Sequence, residues 1–303
     1  MRYALKVQYI GKNYAGSQIQ FGGKSKENPQ GVEIEPTIQG ELEKAISTLI
    51  NSKRCGAGAG LREQAGQGET LRSRRCDQSV NEGSAAIYDC TGGKKNGNKN
   101  RQLKTVFSGR TDKGVNAKGQ IVHFDTEKTI VASDFLYHLN EILPKDISVS
   151  EIQEVDKNFH AQKSAKRRYY RFEFINRRCK NAYDRELMRV KYPINIERMQ
   201  KSLNYLLGEH DFSSFKSSGT LNPSTVCFIE KAEVQKQGDK VIIDIVGNRF
   251  LYNMVRTIVG TLLEIEGHNL QPEHMKEVLE AKDRRKAGQT VSPYGLTLIE
   301  VTY

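Results

Sequence analysis

The stretch Ser108-Gly109-Arg110-Thr111-Asp112-Lys113-Gly114-Val115 places one carboxylate between two cations and brackets the group with two glycines. Glycine tolerates backbone angles that a Cβ resists, so the stretch reads as a tight, shaped loop and not as helix or strand. Upstream, Leu103 to Phe107 is a short apolar-polar run. Downstream, Gln120-Ile121-Val122-His123-Phe124 is rich in β-branched and aromatic residues and reads as a strand. A loop held between two strands fixes Asp112 in space. Taken alone, it is also what an ordinary salt-bridged turn looks like, so the rest of the chain has to decide what Asp112 is for.

The 303 residues carry 47 Lys and Arg against 36 Asp and Glu, a net charge of +11. That surplus points to an anionic partner, and to nucleic acid before membrane, because no basic amphipathic helix stands out. No run of eighteen apolar residues occurs, so no transmembrane helix is expected. The chain enters a strand pattern at once, without the apolar core of a signal peptide. Five cysteines at irregular spacing fit free thiols in a reducing compartment. The expectation is a cytoplasmic protein that binds nucleic acid.

Outward toward the N-terminus, Tyr3, Leu5, Val7 and Tyr9 alternate on one face of a half-buried strand. Gly11, Tyr14, Gly16 and Gln18 follow in a loop, which suits a ligand-touching surface and an ordinary connection equally. Gly23-Lys24-Ser25 resembles the end of a P-loop, but residue 18 is Gln where that motif requires Gly. Thr37 reads as a helix N-cap, and Ile38, Leu42, Ala45, Ile46 and Leu49 form one helical stripe. Residues 53–104 differ in kind: eleven Lys and Arg, five acidic residues, nine glycines and almost no periodicity. Such a stretch buries too little apolar surface to offset ordering, so it reads as a flexible basic insertion, either solvated or in non-specific contact with phosphates. Cys55, Cys76 and Cys90 lie in it and match no usual zinc spacing, so no metal is expected. Gly56 to Gly60 follows no apolar strand and is not a dinucleotide loop.

Toward the C-terminus, Phe135 to Leu143 reads as a short helix ending before Pro144, and 146–155 as a strand. Lys166-Arg167-Arg168 then runs into the aromatic strand Tyr169-Tyr170-Arg171-Phe172-Glu173-Phe174. Cations hold phosphates and rings stack on bases, so Lys166, Arg168 and a tyrosine on one strand suit a nucleic acid. His160 is a lone histidine of ordinary structural type. Residues 196–207 form an amphipathic helix, Gly208 to Phe215 a loop in which His210 and Asp211 lack further metal ligands, and Val241 to Val246 a strand. From Phe250 to Ile265 the chain is nearly apolar all round, as in a buried helix, with Arg256 in its middle. A guanidinium cannot shed its proton, so a buried one needs an anion unless its stem reaches water. The conspicuous placed carboxylate is Asp112. The expectation is that Arg256 and Asp112 pair, that the pairing favours the ionised acid a nucleophile needs, and that Gly260 permits close backbone packing.

Gly109 to Val115 with Gln120 to Phe124 resembles the signature of the TruA family of tRNA pseudouridine synthases. So do Tyr9-Ile10-Gly11 through Gln18, Thr37 to Gly40, Phe159-His160-Ala161, Gly208 to Phe215, Asn248 to Arg256, and the ending Ala287-Gly288 to Gly295-Leu296 with Tyr303. These motifs cover almost the whole chain outside the insertion. The resemblance implies an α/β (α+β) pseudouridine synthase fold. Two halves, 1–160 and 161–303, each with a mainly antiparallel sheet, would flank a central active-site cleft. It implies isomerisation of uridine to pseudouridine in the anticodon stem-loop of tRNA by a homodimer, without metal or cofactor. It puts the nucleophile on Asp112, its partner on Arg256, the base-flipping arginine on Arg110, and the tyrosine against the uracil on Tyr170, with Tyr169 as nearest rival. Leu296, Lys166 and Arg168 complete the implied substrate contacts. Attack at the sugar C1′ and at the base C6 both stay open. The chain departs from the family pattern at Ser17 (usually Trp), Asn116 (commonly His) and Thr297 (usually Tyr). Two other readings compete: an RNA glycosidase, which normally needs a second carboxylate, and a binding module that has kept the pocket.

Overall fold

The computed structural model describes residues 1–18, 35–52, 103–219 and 224–303. The Gly23-Lys24-Ser25 stretch lies outside them, as does the insertion with its three cysteines, apart from Leu103 and Lys104.

The N-terminal alternation forms β1 (Arg2–Tyr9), and Tyr3, Leu5, Val7 and Tyr9 are its buried residues. β1 pairs antiparallel with β3 (Asn116–Asp125) on one side and β4 (Ile147–Val155) on the other. The short β2 (Thr105–Phe107) also pairs with β3, so both strands that flank the Asp112 loop belong to one hairpin-like unit. Helix α1 (Ile38–Asn51) starts where the sequence says: Gly40 N donates to the Thr37 hydroxyl at 3.1 Å. Its buried residues are the five stripe positions. Helix α2 (Ala132–Ile142) begins three residues before Phe135, with Asp134 in its first turn, where a carboxylate suits the helix dipole.

The second half contributes β5 (Arg167–Asn176), β6 (Arg189–Val190), α3 (Ile196–Asn204), β7 (Gly208–Asp211), β8 (Val226–Gln237), β9 (Lys240–Gly247), α4 (Met254–Gly267), α5 (His274–Ala281) and β10 (Leu296–Thr302). Three boundaries differ from the sequence reading. Residues 208–215 are not loop throughout, because β7 gains a partner in β8 and a 3-10 turn follows at Ser213–Phe215. Helix α3 stops at Asn204, three residues short of 207. Helix α4 starts at Met254 and not at Phe250, because Asn253 takes a left-handed conformation (φ 61°) that no continuing helix allows, so Arg256 sits in the first turn.

The strands form one ten-stranded sheet in the order β4-β1-β3-β10-β5-β9-β8-β7, with β2 beside β3 and β6 beside β5. Every pairing is antiparallel except β10 with β3 and β6 with β5. The strands of the two halves are thus continuous, joined where Thr297 and Leu298 run parallel to Asn116 and Ala117. Helices cover two separate cores. One gathers Leu5, Ile46, Phe124 and Leu139; the other gathers Phe172, Met199, Ile258 and Met275. At the join, Leu296 belongs to one core, Leu298 and Val301 to the other, and Tyr170 packs against both.

Candidate active site

The Asp112 loop is held from below by buried polar groups. Ser17 is fully buried. Its N donates to Thr111 O at 3.1 Å and its Oγ accepts from Thr111 N at 2.8 Å. The Tyr9 hydroxyl lies 2.7 Å from Thr111 Oγ1, and Gln120 receives Ser108 Oγ at 2.5 Å while donating to Gly109 O at 2.9 Å. The first loop is therefore the floor of the Asp112 loop. A Cβ on Gly11 would stand 2.1 Å from Val115 O, which is why that position is bare. Gly114 has φ 83°, and a Cβ there would stand 2.9 Å from Pro293 Cγ and 3.0 Å from the Tyr294 ring. Gly109, expected to be shaped in the same way, has no positive φ and, among the described residues, nothing within 4 Å of a Cβ. Its lack of a side chain leaves open space beside Arg110 instead.

The loop borders a pocket of about 540 Å³ at the join of the two cores. Arg110, Asp112, Lys166, Arg168, Tyr170, Arg256 and Leu296 all line it, so the residues singled out by sequence come together although 186 positions separate the first from the last. Among the described lining residues Asp112 is the only acid, facing Arg110, Lys163, Lys166, Arg168, Arg249 and Arg256. Arg256 Nη1 stands 3.4 Å from Asp112 Oδ2, with side-chain exposures of 15% and 25%. That distance is long for a charge-assisted hydrogen bond. The guanidinium is held more tightly elsewhere: Nη1 donates to Asn253 Oδ1 at 2.7 Å and Nε to Val291 O at 2.8 Å. Burial raises the Asp112 pKa above the usual aspartate value, and Arg256 only partly offsets it. The pairing acts in the expected direction, since Arg256 favours the ionised acid, but desolvation is the larger effect and leaves the pKa raised overall.

Tyr170 meets Phe250 edge-on, with ring centroids 5.1 Å apart. Burial, followed by the fields of Tyr9 and Asp112, raises its phenol pKa, so it stays protonated at neutral pH. Its neighbour Tyr169 points to the other face of β5, where its hydroxyl accepts from Arg171 Nη2 at 2.7 Å, and it does not line the pocket. Arg168 lines the pocket, yet its guanidinium donates to four backbone oxygens: Ala165 and Asn248 from Nη1, Ser108 and Gln162 from Nη2. It therefore ties the Asp112 loop to the strands of the second half, whereas Lys166 is exposed at the rim. Arg110 is exposed and donates from Nε to Gln18. His160 accepts from the backbone of Gln162 and Lys163 and does not border the pocket. Among the described residues no three His, Cys, Asp or Glu side chains converge as a metal site would require, and no helix is long and apolar enough to cross a membrane.

A family profile described as tRNA pseudouridine synthase matches residues 203–303. The chain is similar to tRNA pseudouridine synthase A of Buchnera aphidicola subsp. Schizaphis graminum, 41% identical over 303 residues, covering 100% of this chain and 92% of the relative. It is similar to tRNA pseudouridine synthase A of Colwellia psychrerythraea, 33% identical over 304 residues, covering 100% and 94%. With tRNA pseudouridine synthase A of Thermoanaerobacter sp. (strain X514) it shares 40% identity over 203 residues, 67% of this chain and 83% of the relative. The chain belongs to the tRNA pseudouridine synthase family.

Its departures from the pattern expected of such a synthase have structural roles of their own. Ser17 seals the loop floor, as above. Asn116 Oδ1 accepts from Gly11 N at 2.9 Å. Thr297 sits in the β10 ladder between Asn116 and Arg171. Two groups that hold Arg256 escape the sequence reading, for different reasons. The Val291 carbonyl is backbone and has no sequence mark. Asn253 was hidden inside an apolar run, although an Asn immediately before a helical pattern is a recognisable boundary cue.

Proposed function

We propose that the protein isomerises uridine to pseudouridine in the anticodon stem-loop of tRNA, with Asp112 as nucleophile. The observation that carries the reading is a carboxylate, the only one among the described lining residues, largely withdrawn from water and paired to Arg256, on a pocket wall otherwise rich in cations. A uridine inside a stem cannot expose its glycosidic carbon, so it has to be flipped out, at a cost of about a few kcal/mol. Arg110, exposed beside the open space at Gly109, is suited to fill the gap left behind and to meet phosphate. Ionised Asp112 then bonds covalently to the nucleotide, at the sugar C1′ or the base C6. The glycosidic C–N bond breaks, and the uracil turns and reattaches through C5. Loss of the C5 proton and departure of the carboxylate restore the enzyme. The freed base must not escape, and the ring of Tyr170 with Leu296 gives the pocket an apolar wall to hold it. Lys166 is offered to phosphate at the rim; Arg168 serves the same substrate by holding the loop in place. The same reading makes the protein a cytoplasmic homodimer that needs no metal or cofactor, a state that sedentimetric mass in solution would test.

Among the described lining residues no second acid accompanies Asp112, which speaks against a glycosidase, since that chemistry uses a carboxylate pair. Incubating the protein with tRNA tritiated at uridine C5 separates the readings. Tritium release with the base retained in the RNA supports the synthase. Free uracil would mean a glycosidase, and binding with neither product would mean a module without turnover.

A further inference from the structure

We infer that Asn253 is a positioning residue that holds the Arg256 guanidinium in register with Asp112. The inference rests on the reading of Asp112 as nucleophile and goes beyond it. Asn253 immediately precedes α4, where an Asn ordinarily takes an extended conformation and caps the helix by accepting from a backbone N–H of the first turn. It does neither. Its backbone is left-handed (φ 61°, ψ 8°), one of three non-glycine positive-φ residues among the described residues, and its side chain makes no cap bond.

The side chain is used between neighbours instead. Oδ1 accepts from Arg256 Nη1 at 2.7 Å, and Nδ2 donates to Ser217 Oγ at 3.0 Å. Ser217 is itself fixed, since its N donates to Tyr252 O at 3.1 Å. The serine oxygen takes the NH2 end of the amide and so turns the carbonyl end toward Arg256. With Nε on Val291 O, the guanidinium is gripped at two points, both shorter than its 3.4 Å approach to Asp112. Arg256 is thus presented to the acid by Asn253 and Val291 and is not placed by the acid. A strained backbone kept beside a reactive group is where such a device is found. Arg256 is the cation bonded to Asp112, and Tyr170 is the titratable group that shares its field.

Two variants test this. Asn253→Gly keeps the left-handed backbone at no steric cost and deletes the amide. Asn253→Asp keeps the shape and the acceptor but sets a rival carboxylate beside Arg256. The first readout is the Asp112 carboxyl pKa, followed by carbon NMR with labelled aspartate; the second is kcat and KM for tritium release, with Asp112→Asn alongside. In both variants the Asp112 pKa rises, through a loosened cation in one and an added like charge in the other. kcat falls about 10- to 100-fold, the scale of a mis-set reacting group, while KM for tRNA stays within about twofold. A purely structural role would lower thermal stability and leave the pKa in place. An unmoved Asp112 pKa, or a wild-type kcat in Asn253→Gly, overturns the inference. If the pKa moves while Asp112→Asn still turns over, the nucleophile assignment fails and the positioning stands.

Discussion

Replacing Gly260 by alanine sets local propensity against tertiary packing, and the two disagree in sign. Gly260 lies inside α4, where alanine is better than glycine by about 1 kcal/mol, so propensity alone promises a stabler protein. A Cβ there would stand 1.7 Å from Gln289 O and 2.9 Å from its carbonyl carbon. Bringing the oxygen out to 3.0 Å requires a retreat of about 1.3 Å, and nothing flexible absorbs it, because the clash is with backbone. Gly288 also lies against Gly260, where a Cβ on it would stand 2.6 Å from the Gly260 carbonyl carbon, so the segment cannot slide toward the helix elsewhere. That segment is pinned to α4 by Gly288 N to Thr261 Oγ1 (2.9 Å), Thr257 to Thr290 through their hydroxyls (3.2 Å) and Arg256 Nε to Val291 O (2.8 Å). Overpacking costs about 1–3 kcal/mol, and the loss of two such bonds costs about 1–3 kcal/mol more. Net of the propensity gain, Gly260→Ala loses about 3 kcal/mol. At about 2–4 °C per kcal/mol for a chain of this scale, the thermal midpoint falls by about 6–12 °C. Because Val291 moves with the segment, Arg256 loses one of its two grips and kcat drops about 10-fold or more at unchanged KM. Differential scanning calorimetry and tritium-release kinetics read both effects. A midpoint equal to or above wild type would refute the packing argument.

Three further substitutions have definite outcomes. Arg256→Gln removes the cation that partly offsets burial at Asp112, so the acid's pKa, already raised, rises further. With the carboxylate as the proposed reactive form, the acid limb of the kcat–pH profile moves to higher pH and activity falls most on the acid side. Ser17→Ala strips the acceptor from Thr111 N and leaves a buried donor unpaired, a loss of about 1–3 kcal/mol by thermal unfolding, with reduced kcat because the loop carrying Asp112 loses its floor. Thr37→Ala removes the α1 cap, costs about 1 kcal/mol in the same measurement and leaves turnover at the wild-type level, since α1 does not border the pocket.

Local and periodic signals read well from the sequence. The α1 stripe and its Thr37 cap depend on spacing and one hydroxyl, and all five stripe residues are buried. β8 gave no such signal. It buries Cys227, Ile229 and Ala232 among charged residues, and the irregularity between Ile229 and Lys231 breaks the alternation that would have marked it. The start of α4 is not legible because Phe250 and Leu251 continue the apolar run, while the turn depends on one φ angle at Asn253. Within the pocket, the meeting of Arg256 with Asp112 could be reasoned from the cost of an unpaired guanidinium, and they lie together. The strength of that meeting could not be read, because it depends on distance and on a competing amide and carbonyl. Arg168 shows the same limit: a cation in a basic cluster suggests phosphate, but both its Nη groups are engaged by backbone oxygens that no sequence pattern announces.

Asp112→Asn is the most direct measurement, because it removes the charge and the oxygen proposed as nucleophile with little change of shape. Tritium release from C5-labelled tRNA and tRNA binding are followed on the same preparation. The account requires release by the wild-type protein and none by the variant, with binding kept at the wild-type level. Release by Asp112→Asn at the wild-type rate would contradict it.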